Sequence, residues 1–195
     1  MLATLNRGKA RELAALLGDV AFAIRLLADH PVAVAPDETA DTYRDNALLK
    51  ARAAARLTRT WVLADDSGLE VDALGGEPGV RSARYGGSGL DDAGRCARLL
   101  AALRDVPDDR RTARFRCVIA IVDDAGREWT VEGVADGLIT RAPRGSGGFG
   151  YDPLFYYPPL GRTFAELSDE DKSHVSHRAR AAARARRLLI EEAAP

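Results

Sequence analysis

Two acidic residues stand side by side at Asp65-Asp66, with Ser67-Gly68 directly after them. They close a short apolar run, Trp61-Val62-Leu63-Ala64, long enough for a buried strand. Carboxylates at the C-terminal end of such a strand lie where open α/β sheets place ligands. A hard divalent cation such as Mg²⁺ takes oxygen ligands of this kind. Neighbouring side chains of a strand point to opposite faces, so Asp65 and Asp66 are expected to do different work. One can reach a metal or a water while the other braces the loop. Asp, Ser and Gly are also ordinary turn residues, and Ser67-Gly68 is expected to turn the chain.

Cationic and donor groups recur at three other places. Thr4-Leu5-Asn6-Arg7-Gly8-Lys9 precedes a pattern in which Leu13, Leu16 and Leu17 share one helical face. Thr or Asn can cap that helix, its free N–H groups attract anions, Gly8 permits close approach and Lys9 adds charge. This suits a phosphate and equally suits an ordinary capped helix. In the helical pattern that starts at Thr42, Asn46 and Lys50 are four apart and share a face. A polar pair on an otherwise apolar helix is ordinarily solvated. Lys172, Ser176, His177 and Arg178 gather donors within two turns, which fits a binding site or the solvated start of an Arg-rich helix. Between these lies Pro143-Arg144-Gly145-Ser146-Gly147-Gly148-Phe149-Gly150-Tyr151-Asp152-Pro153, where four glycines surround two aromatics. Glycine lets backbone approach a ligand, and an aromatic in such a loop can stack on a base or simply anchor the loop in the core.

Taken together, these strings resemble the inosine triphosphate pyrophosphatase family. The shared features are Ala-Asp-Asp-Ser-Gly-Leu at residues 64–69 with Pro78-Gly79 and Ser82-Ala83-Arg84-Tyr85 beyond it, and Thr4, Asn6 and Lys9 before the first helix. Glu38, Thr42, Tyr43, Asn46, Ala47, Lys50 and Ala51 match a further motif, as do residues 148–155 and the set Glu166, Lys172, Ser176, His177 and Arg178. Leu5 stands where the family usually has a small residue, and Ala40 and Ala179 stand where glycine is frequent. The start is a few strand residues short of the family's usual one, so either the first strand is abbreviated or the natural start lies upstream.

The resemblance implies hydrolysis of deaminated purine nucleoside triphosphates (ITP, dITP, XTP) to monophosphate and pyrophosphate, clearing them from the nucleotide pool. It implies Mg²⁺ on Glu38 and Asp66, with Asp66 also the catalytic base. It implies substrate binding by Thr4, Leu5, Asn6, Arg7, Gly8, Lys9, Lys50 and Ser67, with the Thr4, Asn6 and Lys9 stretch on the triphosphate and Lys50 beside it. Phe149, Gly150, Tyr151 and Asp152 would pack on the purine, with Lys172, His177 and Arg178 also on the nucleotide. A homodimer is implied as well.

The elements that must hold these residues can be read in outline. Residues 22–27 can form a strand, and residues 31–36 read as extended loop. Residues 90–106 carry a helical stripe of Cys96, Leu99, Leu100 and Leu103, with Cys96 expected in the core. Residues 112–123 read as a strand, residues 124–127 as a hairpin turn, and alternation resumes from Glu128 to Gly133. Ser168 and Asp171 have capping-box spacing. This order supports an α/β protein. A mixed, strongly bent central sheet with flanking helices, and two lobes around a nucleotide cleft, follow from the resemblance.

At 195 residues, 46% hydrophobic, a single domain over residues 1–195 is expected. A formal net charge of -1 gives no field for polymeric nucleic acid or an anionic membrane. Cys96 and Cys117 have no metal-ligand spacing, and a reducing, cytoplasmic setting is expected. No apolar run approaches a membrane span and no signal-peptide pattern opens the chain. Two rivals stand beside this reading: a pyrophosphatase of the same general fold that prefers modified pyrimidines or methylated nucleotides, and a nucleotide-binding module without turnover.

Overall fold

Val62, Leu63 and Ala64 do start a strand, but it does not end at the acidic pair. In the computed structural model β1 runs Val62–Val71, straight through Asp65, Asp66, Ser67 and Gly68. The expected turn at Ser67-Gly68 is therefore corrected. Leu69 and Val71 are fully buried, and extended backbone is what carries both into the core. The turn comes after Asp72, with Gly75 in the left-handed region that a side chain disfavours. The structure describes residues 1–18, 22–30, 36, 38–87 and 89–192.

The order is α1 (Arg7–Leu16), α2 (Tyr43–Thr58), β1, α3 (Asp92–Ala102), β2 (Thr112–Val122), β3 (Glu128–Ile139), β4 (Phe155–Tyr157), β5 (Arg162–Thr163), α4 (Asp169–Val175) and α5 (His177–Glu192), with short 3-10 turns between. Helices flank a five-stranded sheet of order β1-β2-β3-β4-β5. The β3–β4 and β4–β5 pairs are antiparallel. Parallel pairing occurs at Leu2, which bridges Leu26 on one side and Leu63 on the other. Of the expected strand over residues 22–27, Leu26 alone makes a bridge, and Leu27 already enters a 3-10 turn. The expected loop over residues 31–36 lies outside the described residues except for Pro36. Among the described residues, no helix is long and apolar enough to cross a membrane.

Two compact units make up the chain. The first comprises residues 1–66, 117–133 and 177–195; the second comprises residues 67–116 and 134–176. In the first, α1 packs on α5, and Leu2, Leu13, Leu17, Leu63, Ile119, Ile121, Ala181, Ala185 and Leu189 form its core. Alanines on α5 let that helix come close. At Gly133 of β3 an added Cβ would lie 2.1 Å from the carbonyl oxygen of His177, so only glycine fits under the start of α5. The second unit is built on Leu69, Val71, Leu99, Leu103, Phe115, Phe155 and Phe164. Phe155 lies 4.6 Å from Phe115 and 4.8 Å from Phe164, in the tilted arrangement that aromatic quadrupoles favour.

Candidate active site

The first unit gathers an ionic cluster on β1. Residues 1–3 run beside the strand: Ala3 N donates to Leu63 O (2.8 Å) and Leu63 N to Met1 O (2.9 Å). That pairing brings the chain leaving Ala3 to the level of Asp65. Thr4 Oγ1 accepts from Asn6 N (3.2 Å), and Asn6 Oδ1 caps α1 by accepting from Lys9 N (3.0 Å). Leu5, Asn6 and Arg7 are exposed, while Gly8 is half-buried. Lys9 reaches inward, with Nζ 3.2 Å from Asp65 Oδ2. The expected phosphate turn is thus an open helix start with no acidic side chain in its first turn.

Asn46 and Lys50 are not solvated. Asn46 is fully buried and grips Ala40, accepting from its N–H (3.0 Å) and donating to its carbonyl (3.2 Å). It also donates to Asp66 Oδ2 (3.3 Å). This clasp folds residues 38–42 back over α2. Lys50, one turn on, lies 2.7 Å from Glu38 Oε1 and 3.1 Å from Asp66 Oδ1. The pair that solvation would have predicted is covered because it has carboxylates to meet, which is what makes burying a lysine tolerable.

Arg178 is 1% exposed, its guanidinium 2.5 Å from Glu12 Oε2 and 3.5 Å from Asp65 Oδ2. Asp65 therefore sits against Lys9 and Arg178, and Asp66 against Lys50 and Asn46, as the two-residue period of a strand requires. Their acidities diverge. Burial would raise Asp65, but Lys9, Arg178 and Lys50 outweigh it and hold the carboxyl well below the usual range. Burial raises Asp66, helped by Glu38, and Lys50 and Lys9 only partly offset this. Burial works against the charge on Lys50, yet Asp66, Asp65 and Glu38 together push its pKa up. Two carboxyls with environments that separate their acidities are the arrangement by which one stays an anion and the other can exchange a proton.

Glu38 and Asp66 converge on one ammonium, so their oxygens face a common point that a cation already occupies. Among the described residues no group of three or more His, Cys, Asp and Glu side chains forms a ready metal cage. Two carboxylates fit Mg²⁺, which is commonly held by one or two carboxylates plus water and substrate phosphate oxygens. Ser67 follows within β1, half-buried.

The second unit holds the glycine-rich loop. Asp152 organises it: Oδ2 accepts from Phe149 N (2.9 Å) and meets Lys172 Nζ (2.6 Å). At Gly148 a Cβ would lie 2.0 Å from that same oxygen, and its φ of 70° is in the left-handed region. Lys172 is buried, with Nζ 5.1 Å from the centre of the Phe149 ring. Tyr151 is buried and donates to Ser82 O (2.9 Å). Ser82 Oγ in turn accepts from Leu69 N (2.8 Å), which ties the 3-10 turn Gly79–Arg84 to β1. Gly150 N donates to Asp92 Oδ2 (2.7 Å), and Cys96 Sγ donates to Gly150 O (3.4 Å). Phe149 and Gly150 remain half-exposed, so the loop presents an aromatic face and backbone on a fixed frame.

The structure thus places Lys172 with Asp152 and Phe149, and Arg178 with Glu12 and Asp65. His177, the first residue of α5, is buried. The sequence does not show Glu12, Ser82, Asp92 or Cys96 as partners of site residues: Ser82 stands in a motif and Cys96 in an apolar stripe, but neither pattern names the group it meets.

The Ham1 family model matches residues 1–188 of this chain. The dITP/XTP pyrophosphatase of Desulforamulus reducens is 51% identical over 189 residues, 97% of this chain and 94% of that protein. The dITP/XTP pyrophosphatase of Geobacillus kaustophilus is 51% identical over 181 residues, 93% and 89% of the two chains. Among solved structures, a HAM1 protein from Coxiella burnetii superposes with a TM-score of 0.89 at 41% identity over 97% of each chain. A nucleoside-triphosphatase, dITP/XTP pyrophosphatase, from Mycobacterium abscessus gives 0.77 at 46% identity, covering 94% of this chain and 96% of that one.

Proposed function

This chain belongs to the Ham1 family, and from that premise we propose that it hydrolyses ITP, dITP and XTP to the monophosphate and pyrophosphate. It thereby removes deaminated purine nucleotides before they enter DNA or RNA. The observation that carries the reading is Asp66, a buried carboxyl that shares Lys50 with Glu38 and is held by Asn46. A carboxylate fixed in this way beside a cation is placed to orient an attacking water and accept its proton.

The triphosphate binds at the α1 start, where Thr4, Leu5, Asn6, Arg7 and Gly8 offer backbone and side-chain donors and Lys9 offers charge. Lys50 neutralises charge beside the anhydride that breaks, and Ser67 lies one residue beyond the base. Glu38 and Asp66 hold Mg²⁺, which when bound supplies charge neutralisation at the phosphates. Asp66 accepts the proton of the attacking water, and Asp65 keeps Lys9 in place. The purine packs on Phe149, with Gly150, Tyr151, Asp152 and Lys172 forming its pocket and His177 and Arg178 supporting the nucleotide from α5. One nucleotide uses both residue sets, in a single domain over residues 1–195. The strongly bent sheet and the two lobes around a nucleotide cleft expected from the resemblance belong to this proposal. So do the homodimer and the cytoplasmic setting.

The test is a pyrophosphate-release screen with Mg²⁺ over ITP, dITP, XTP, modified pyrimidine nucleoside triphosphates and the four common ribonucleoside and deoxyribonucleoside triphosphates. Turnover concentrated on the deaminated purines is expected. Comparable turnover of modified pyrimidines, or binding without release, would overturn the assignment.

A further inference from the structure

We propose that Asp92 and Cys96 of α3 are positioning residues that clamp Gly150 and so fix the purine-binding loop. This rests on the reading of that loop given above. Asp92 is not needed to cap its own helix, because Asp91 does so by accepting from Gly94 N (2.8 Å). The Asp92 carboxylate instead takes the N–H of Gly150 at 2.7 Å, with its other oxygen 3.3 Å from Arg95. Cys96 is four residues on, hence on the same face of α3. It is buried, and burial, with Asp92 and Asp152 adding to it, pushes its thiol up to about 11. At neutral pH it therefore keeps the proton that it donates to Gly150 O at 3.4 Å.

The two contacts grip the two peptide groups on either side of Gly150. That residue has a φ of 63° and no other group within 4 Å of where a Cβ would be. Phe149 precedes it, half-exposed and facing Lys172; Tyr151 follows it, anchored on Ser82. Without the clamp the peptides around Gly150 lose two of the bonds that order them, and the cost of ordering them when the base arrives would appear as weaker binding of the base.

The experiment compares Asp92→Ala, Asp92→Asn, Cys96→Val, Cys96→Ser and Phe149→Ala with the parent enzyme. It measures kcat and KM for ITP and ATP and inhibition by pyrophosphate, which carries no base. Asp92→Ala and Cys96→Val are expected to raise KM for ITP by about ten- to a hundredfold, as displaced positioning groups do. They should also narrow the ITP/ATP ratio of kcat/KM, with pyrophosphate inhibition unchanged. Asp92→Asn and Cys96→Ser keep an acceptor and a donor, so they are expected to recover most of the loss. Should Asp92→Ala or Cys96→Val not fold, the Gly150 N–H of Asp92→Asn, held by a neutral rather than a charged acceptor, is expected to exchange with solvent faster than in the parent, and equal exchange would overturn the clamp. If Phe149→Ala collapses the ratio while folded Asp92→Ala and Cys96→Val keep both KM and ratio, the clamp is wrong. A weakening of pyrophosphate equal to that of ITP would also overturn it, since the effect would then not be confined to the base. If Phe149→Ala leaves the ratio intact, the loop does not read the base, and the clamp's role falls with that reading.

Discussion

Asp65 and Asp66 are joined by one peptide bond, yet Asp65 Oδ2 lies 3.2 Å from Lys9 while Asp66 Oδ1 lies 3.1 Å from Lys50. The two variants Asp66→Asn and Asp65→Asn should therefore fail differently. Asp66→Asn keeps the shape and one of the two hydrogen bonds accepted from Lys50 and Asn46, but loses the charge and the basic lone pair, and should lower kcat by about 10²–10⁴-fold with the fold intact. Asp65→Asn leaves Lys9 and Arg178 facing a neutral amide in the interior. Breaking a buried ion pair costs about 3–5 kcal/mol, so the main loss should be in stability. Pyrophosphate release at saturating Mg²⁺ and urea unfolding of both variants check this. Near-normal turnover of Asp66→Asn would remove Asp66 from the chemistry.

Arg178 is a second point of divergence. A donor-lined base pocket would have Arg178→Ala affect ITP far more than ATP. Its guanidinium, however, is sealed against Glu12 and Asp65. Arg178→Ala is expected to lower ITP and ATP hydrolysis by the same factor and to reduce the unfolding midpoint. A selective loss on ITP would return Arg178 to the base.

These two cases show where sequence reasoning reached and where it stopped. The separation of Asp65 from Asp66 was legible because strand alternation is a property of the backbone. The continuation of β1 was not, because Asp-Asp-Ser-Gly carries turn residues and only the burial of Leu69 and Val71 overrides them. The first and third helices are legible in their apolar stripes and the second in its Ala and Leu content, but such patterns do not say which polar residues are covered. Asn46 and Lys50 are buried by Ala40, Glu38 and Asp66, partners that periodicity does not name. Glu12 is 166 residues from Arg178, and Asp92 is 58 from Gly150; no local pattern spans such distances.

Gly133→Ala tests how tightly α5 is seated. The added methyl would meet the His177 carbonyl and the Ala181 N–H, both backbone groups that cannot rotate away. Overpacking of this kind costs about 1–3 kcal/mol or more. A lower unfolding midpoint with a proportionate loss of turnover is expected, because Arg178 and His177 ride on the displaced helix end. Unchanged stability would mean that β3 and α5 can separate freely.

Stability should fall on the alkaline side. Burial pushes Cys96 up to about 11 and Cys117 up to about 12. Thiols of the unfolded chain titrate near about 8.5. Between roughly pH 9 and 11 the native state keeps protons that the unfolded state has released, so the free energy of unfolding decreases as pH rises. Below pH 8 these thiols add no slope. Urea unfolding from pH 7 to 10.5 should show a steeper decline for the parent than for the Cys96→Ala, Cys117→Ala double variant. Parallel curves would mean that the thiols titrate normally in the fold.

On the proposed reading, the choice of base turns on Lys172. Its ammonium is held by Asp152 at 2.6 Å beside the Phe149 ring, and it can only donate hydrogen bonds. Hypoxanthine and xanthine carry an oxygen at C6, which such a donor can meet. Adenine carries an amino group there, so two donors would face each other out of water. One buried mismatch costs about 1–3 kcal/mol, or roughly 10- to 100-fold in kcat/KM. ITP and XTP should therefore exceed ATP by at least that factor. Lys172→Met keeps the buried stem and removes the donor. It also takes the ammonium away from Asp152, so the control is Asp152→Asn, which retains the contact with Phe149 N. Lys172→Met should cut ITP hydrolysis by about 10- to 100-fold while ATP hydrolysis changes little, closing most of the gap. Asp152→Asn should keep part of the preference. If Lys172→Met lowers both substrates equally, Lys172 supports the loop through Asp152, and the C6 oxygen is read by another group.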